Sequence, residues 1–358
     1  VLLFTLIFKT IADDNYKLQF VQMIYRHGDR APKRTYPTDP NPLGVWTLGL
    51  GALTQNGRRQ HYHLGRRFRE IYKDFFTTKP TEVDALSNRN PRCLSSAESN
   101  FASFFSPKPR WQFEEGLSWQ PIPIISIPFV LDEYIGNPEE CPAFQKALIK
   151  QLNTPSNKAF NAKHKDLYDY LSRHSGAKID NYLNVKDLYE TLYIEEKYKM
   201  IIPDWLSSVL DEVRHVYNNV FVHAFNSTEI QRLRAGPLLG IINNMFEEKM
   251  NGTLPELKFR TYSAHDDNIA VVLAALDLLT NRMIPYCSTL IFELYTGPQD
   301  DPYIRLLFMN TLNYDKYDQV PEILTLPGCQ EYCPYTKYLE ITQPFAHLNF
   351  DNECQIES

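Results

Sequence analysis

Strand-like and helix-like stretches alternate at both ends of this chain, while its middle, from Cys141 to about Val222, holds amphipathic helical patterns and few β-rich runs. Lys17 to Tyr25 (KLQFVQMIY) is dense in β-formers and predicts a buried strand. Thr54 can cap a long helix to about Phe76, with His61, Leu64, Phe68, Ile71 and Phe75 on one face. A strand near Val83 to Leu86 and a helix from about Leu94 to Phe105 follow, and Trp119 to Pro128 reads as extended. After the helical middle come a helix at Gln231 to Met250, a strand at Leu257 to Ser263 and a helix at Asn268 to Leu279. Strands at Thr289 to Tyr295 and Tyr303 to Met309 complete the pattern. This order predicts an α/β fold: a mostly parallel central sheet flanked by helices, with a smaller α-helical cap inserted. The expected division is a core of residues 13–138 and 231–358 and a cap of residues 139–230.

Directly after the first strand stands Arg26-His27-Gly28-Asp29-Arg30-Ala31-Pro32. The loop leaving a strand's carboxyl end is where open α/β sheets bind ligands. Two guanidinium forks around one imidazole suit a tetrahedral, doubly charged oxyanion such as phosphate. Gly28 would let the backbone approach such a ligand, and His27 could attack phosphorus as a covalent nucleophile. The plainer reading is a surface basic cluster holding an incidental histidine. Ser263-Ala264-His265-Asp266 leaves a second strand and opens a helix, whose N-terminus favours phosphate. There His265 could donate to the oxyanion and Asp266 could protonate a departing alkoxide. Alone, a His-Asp pair before a helix is usually just a cap; its equivalent place on the sheet gives it weight.

These residues carry a resemblance. Arg26 to Pro32 fits the R-H-G-x-R-x-P signature, and His265-Asp266 the distal H-D signature, of the histidine acid phosphatases of the animal prostatic and lysosomal kind. The chain also resembles that family at Leu53 to Gly57, Trp119 to Pro123 and Leu326 to Cys329, so the likeness runs from about Lys17 to Cys354. It implies His27 as nucleophile, Asp266 as proton donor, and Arg26, Arg30 and His265 as the phosphate grip. A further phosphate-binding arginine falls at Arg92, with Arg89 as second choice because Leu86 departs from the family pattern. The resemblance pairs Cys141 with Cys354 and Cys329 with Cys333, and it allows a homodimer. The two positions of a third family bridge appear here as about Ile194 and Thr289. Cys93 and Cys287 are left over, and because oxidising compartments rarely leave buried thiols unpaired, a Cys93–Cys287 bridge is expected.

Composition narrows the compartment and the partners. A net charge of -6 over 358 residues argues against a nucleic-acid binder, which would show a basic surface. Val1 to Ala12 is apolar and too short to span a bilayer; it reads as the tail of a secretory signal peptide, residues 1–12. Six cysteines suit disulfides, although Cys329 and Cys333 could be half of a zinc site. Glycosylation acceptors stand at Asn226 and Asn251. These signals together predict secretion, with the lysosomal lumen as alternative and no membrane anchor. No cofactor or metal is called for, because arginines supply the charge. His61 and His63 sit two apart on a helix and cannot readily share a metal. The expected substrates are small phosphomonoesters. A phytase would want a more basic pocket than Asp29 and the acidic balance suggest. A catalytically inactive binding protein would have lost Arg26, His27 or Asp266, and none is lost.

Overall fold

The computed structural model describes residues 15–136, 141–310 and 320–355. Residues 1–12, expected to be the tail of a signal peptide, lie outside them. One sheet runs in the order β3-β2-β4-β1-β5-β6-β7, with β8 beside β6. Its strands are β1 (Lys17–Arg26), β2 (Val83–Asn88), β3 (Ile124–Ile127), β4 (Phe259–Ala264), β5 (Thr289–Thr296), β6 (Pro302–Met309), β7 (Glu322–Leu324) and β8 (Cys333–Pro334). The half from β3 to β1 is parallel, and β5 to β8 extend it antiparallel. The α/β class expected from alternation is the one found.

Period-two alternation along β1 sends its side chains to two separate cores. Phe20 and Ile24 face one core, shared with α8 (Thr228–Met250) and α9 (Asp266–Ala275). Val21, Met23 and Tyr25 face the other, shared with α1 (Gln55–Ile71) and α2 (Pro91–Phe104). That second core centres on Phe259, whose ring lies 4.9 Å from Phe104 and 5.2 Å from Phe76. Between β3 and α8 come α3 (Pro142–Leu152), α4 (Pro155–Lys163), α5 (Lys165–Ser175), α6 (Tyr182–Lys197) and α7 (Leu210–Ala224). The helices α10 (Tyr335–Thr342) and α11 (Phe350–Glu353) close the chain.

Local signals explain where the site-bearing helices start. Thr54 caps α1, its hydroxyl accepting from the Gly57 amide at 3.0 Å. Helix α2 begins at Pro91 rather than near Leu94, since Asn90 caps it and Pro91 takes the first helical position. Helix α9 begins at Asp266 rather than Asn268, because Asn268 Oδ1 accepts from the His265 amide at 3.1 Å and closes a capping box.

Two disulfides form, Cys141–Cys354 and Cys329–Cys333. The expected Cys93–Cys287 bridge does not form; both thiols are free and buried. Cys93 Sγ lies 3.5 Å from the Ala264 carbonyl on the β4 side, whereas Cys287 Sγ faces Gln60 Oε1 at 3.9 Å and leads into β5. Since β1 runs between β4 and β5, the His27 loop stands between the two sulfurs. Burial pushes the Cys93 thiol up to about 12 and the Cys287 thiol well above its usual value, so both pack as apolar groups.

Candidate active site

His27 leaves the carboxyl end of β1 with its amide donating to the Ala264 carbonyl at 3.0 Å, while its own carbonyl accepts from the Cys287 amide at 3.3 Å. It is thereby fixed between the ends of β4 and β5. The next turn is held by contact of two backbones. A Cβ on Gly28 would meet the Gly57 carbonyl oxygen at 2.5 Å, and one on Gly57 would meet the Asp29 carbonyl oxygen at 2.2 Å. Gly28 therefore admits the first turn of α1, a reason the sequence reading had assigned to ligand approach. Below, His61 donates from Nε2 to the Arg26 carbonyl at 3.0 Å.

His27 Nδ1 donates to the Gly28 carbonyl at 2.8 Å, which leaves the Nε2 lone pair to act on a substrate. Burial, then Arg92, Arg26, His265 and Arg30, holds its pKa well below the ordinary value. The ring therefore stays unprotonated in acid. The His265 ring lies 5.4 Å away, its pKa lowered to about 3 by burial and Arg92. Its Nε2 donates to Asn88 Oδ1 at 3.2 Å, with the Cys93 sulfur 3.7 Å from the same atom.

Three buried arginines surround the histidine. Arg26 is bound to Asp266 at 3.1 Å, donates to the Ile284 carbonyl, and lies 4.3 Å from the Tyr286 ring centroid. Arg30 pairs with Glu190 at 2.8 Å. Arg92, the second residue of α2, is buried, whereas Arg89 is exposed. Among the described residues nothing accepts from the Nε of Arg26, Arg30 or Arg92. All the sequence-derived candidates, Arg26, His27, Arg30, Arg92, His265 and Asp266, thus converge at the carboxyl ends of β1 and β4. For Asp266, burial alone would raise the pKa, but Arg26, Lys186, Lys33 and His265 outweigh it and hold the carboxylate far below its ordinary value.

The sequence did not reveal the contribution of α6. Lys186, Glu190, Tyr193 and Lys197 recur at helical spacing, and three of the four reach the signature loop or Asp266. Lys186 lies 3.1 Å from Glu190 and 4.0 Å from Asp266. Lys197 pairs with Asp29 at 2.6 Å, and Asp29 also accepts from Thr54 Oγ1 at 2.7 Å and from the Tyr198 hydroxyl. Asp29 therefore directs its charge to α6 and α1, a correction to its reading as an acidic element of the pocket. The spacing was visible in the sequence. What it faced was not.

A cavity of about 500 Å³ opens beside Arg26, lined also by Glu190, Tyr217 and Tyr286. Among the described residues no helix is long and apolar enough to cross a membrane.

The family model described as the histidine phosphatase superfamily (branch 2) matches residues 17–309. Lysosomal acid phosphatase of Homo sapiens is 32% identical over 349 residues, covering 95% of this chain and 81% of that one. Prostatic acid phosphatase of Homo sapiens is 30% identical over 348 residues, covering 94% and 88%. Among solved structures, the apo form of Hafnia alvei phytase superposes with a TM-score of 0.69 at 16% identity, covering 97% of this chain and 100% of that one. At that identity the likeness is one of fold.

Proposed function

Since the chain belongs to branch 2 of the histidine phosphatase superfamily, we propose that it is an acid phosphatase cleaving phosphate monoesters through a phosphohistidine on His27, with Asp266 as general acid. The observation that carries this reading is His27 itself. Its Nδ1 is committed to the Gly28 carbonyl, which leaves Nε2 as the attacking nitrogen, and among the described residues the Nε groups of Arg26, Arg30 and Arg92 have no acceptor.

In the first half-reaction Nε2 bonds to phosphorus as the bond to the leaving oxygen breaks, and that oxygen takes a proton from Asp266. Arg26, Arg30 and Arg92 bear the charge on the phosphoryl oxygens. In the second, water attacks phosphorus, its proton goes to the Asp266 carboxylate, and the N–P bond breaks to release inorganic phosphate. The proton on Asp266 needs a source, because Arg26 and Lys186 keep the carboxylate ionised. A phosphoester monoanion brings that proton; its second ionisation lies at about 6. Once bound, the ester engages the same arginines and adds negative charge beside Asp266, which raises the carboxyl pKa and draws the proton across. An acidic optimum follows from the proton inventory.

Residues 139–230 act as a cap that sets leaving-group preference, a reading supported by the reach of α6 to the signature loop. The two disulfides and the exposed Asn226 and Asn251 support a secretory route, to the exterior or to a lysosomal lumen.

Replacing the nucleophile is the direct test. His27→Ala should lose turnover while keeping its fold, and wild-type enzyme quenched in acid during turnover of labelled ester should carry acid-labile phosphate on His27. Full activity in the alanine variant would sink the covalent mechanism.

A further inference from the structure

The cavity beside Arg26 is far larger than a phosphate group needs, and its volume of about 500 Å³ falls within the range of small-molecule sites. Its walls are aromatic: Tyr189 and Tyr193 from α6, Tyr217 from α7 and Tyr286 from the segment before β5. The Tyr189 and Tyr217 rings meet edge to face at 4.9 Å, so this wall is packed in place rather than loose.

The charge in the cavity is uneven with depth. Arg26 lies at its buried end, and two more lining arginines, Arg214 and Arg282, are exposed and so stand at its mouth. Arg214 is oriented by its own Nε, which donates to the Tyr189 hydroxyl at 3.0 Å and leaves the Nη groups for another acceptor. Glu196 and Asp211 lie within reach of the Arg214 charge but do not line the cavity. Among the described lining residues Glu190 is the one acid, and Arg30 and Lys186 already hold it at 2.8 and 3.1 Å. The inner end is thus built for one anion, the middle for a flat ring, and the mouth for a second anion.

We propose that this cavity is a leaving-group site with a second anion subsite at Arg214 and Arg282, selecting aromatic phosphomonoesters that carry a further negative charge on the far side of the ring. The proposal rests on the phosphatase reading and narrows its substrate class. A ring between tyrosine faces gains from offset or edge contacts. Guanidinium groups at the mouth match a carboxylate or sulfonate. The bonds made and broken remain those of the His27 reaction, with the phenol oxygen leaving.

A matched pair of esters tests the idea: 4-(carboxymethyl)phenyl phosphate and 4-methylphenyl phosphate, whose phenols are nearly equal as leaving groups. At low ionic strength and pH 5.5 the wild-type kcat/KM should favour the carboxylated ester by about tenfold, chiefly through KM. Raising the salt to half molar should shrink that ratio. The paired change Arg214→Gln and Arg282→Gln should bring it close to one, whereas Arg214→Lys with Arg282→Lys should retain part of it. A wild-type ratio near one, or an unchanged ratio in the glutamine pair, overturns the subsite. Failure of wild type to turn over either ester would instead overturn the phosphatase reading itself.

Discussion

Asp266 is held ionised by Arg26 at 3.1 Å and by Lys186 at 4.0 Å, yet its proposed work is to give up a proton. The two facts are compatible if the bound ester relieves it of those cations, and that can be measured. Asp266→Asn should cost most with alkyl phosphates, whose leaving oxygens need protonation, and much less with nitrophenyl phosphate. Equal losses on both would argue against a general acid. The arginines give a second comparison. Arg92→Ala should lower kcat/KM by on the order of a hundredfold. Arg89→Ala should stay within about twofold, because Arg89 is exposed; a severe Arg89→Ala would move the grip to the other arginine. That Arg26, His27, Arg30, His265 and Asp266 meet was legible in the sequence because two short segments, Arg26 to Arg30 and His265-Asp266, carry them. Glu190 was not, since its partner Arg30 lies 160 positions away.

At the scale of elements, the starts of α1, α2 and α9 follow from caps and proline placement, and those of α2 and α9 were misjudged by two or three residues. The expected end of α1 near Phe76 overshoots by about a turn. Helix α1 ends at Ile71, and the Phe75 and Phe76 rings beyond it still reach the core, 5.5 and 5.2 Å from Phe259. Helix α6 matters most here, because its Lys197 is the buried Asp29's partner. Asp29→Ala should destabilise the fold by about 2–4 kcal/mol, since Lys197 Nζ, Thr54 Oγ1 and the Tyr198 hydroxyl all lose the buried carboxylate that accepts from them. Adding Lys197→Met should recover part of that loss if the pair is coupled as drawn. Urea unfolding of Asp29→Ala, Lys197→Met and the double variant at one pH decides the matter, and additive losses would mean no coupling.

The molecule as a whole responds to pH through groups of opposite sense. Burial lowers His61 to about 3, and burial with Arg92 lowers His265 likewise. Histidines kept neutral in the fold contribute stability that is present above about 6.5 and is lost as pH falls toward 3. Glu195 is buried and, through that burial and Asp39, is pushed up to about 8. Its contribution is complete below about 4.5 and is lost as pH rises through 8. Melting temperature should therefore fall on both sides of a mildly acidic maximum. Glu195→Gln should flatten the alkaline side and leave the acid side as it was; an unchanged alkaline limb would remove Glu195 from the account. None of this was readable in advance, because a glutamate on an amphipathic helix gives no sign that its face is covered. The bridge expected between Cys93 and Cys287 failed for a related reason. Counting cysteines says how many can pair, and the intervening strand decides which ones meet.

Pairs Arg30–Glu190 and Asp29–Lys197 join the signature loop to a helix encoded far downstream. Recombination between relatives with crossovers on either side of residues 139–230 would hand a loop from one parent to a helix from the other. Chimeras of that kind should be inactive or poorly folded unless positions 29–30 and 186–198 travel together. The heritable unit of this active site is a set of matched side chains, and it does not coincide with any contiguous stretch of the gene.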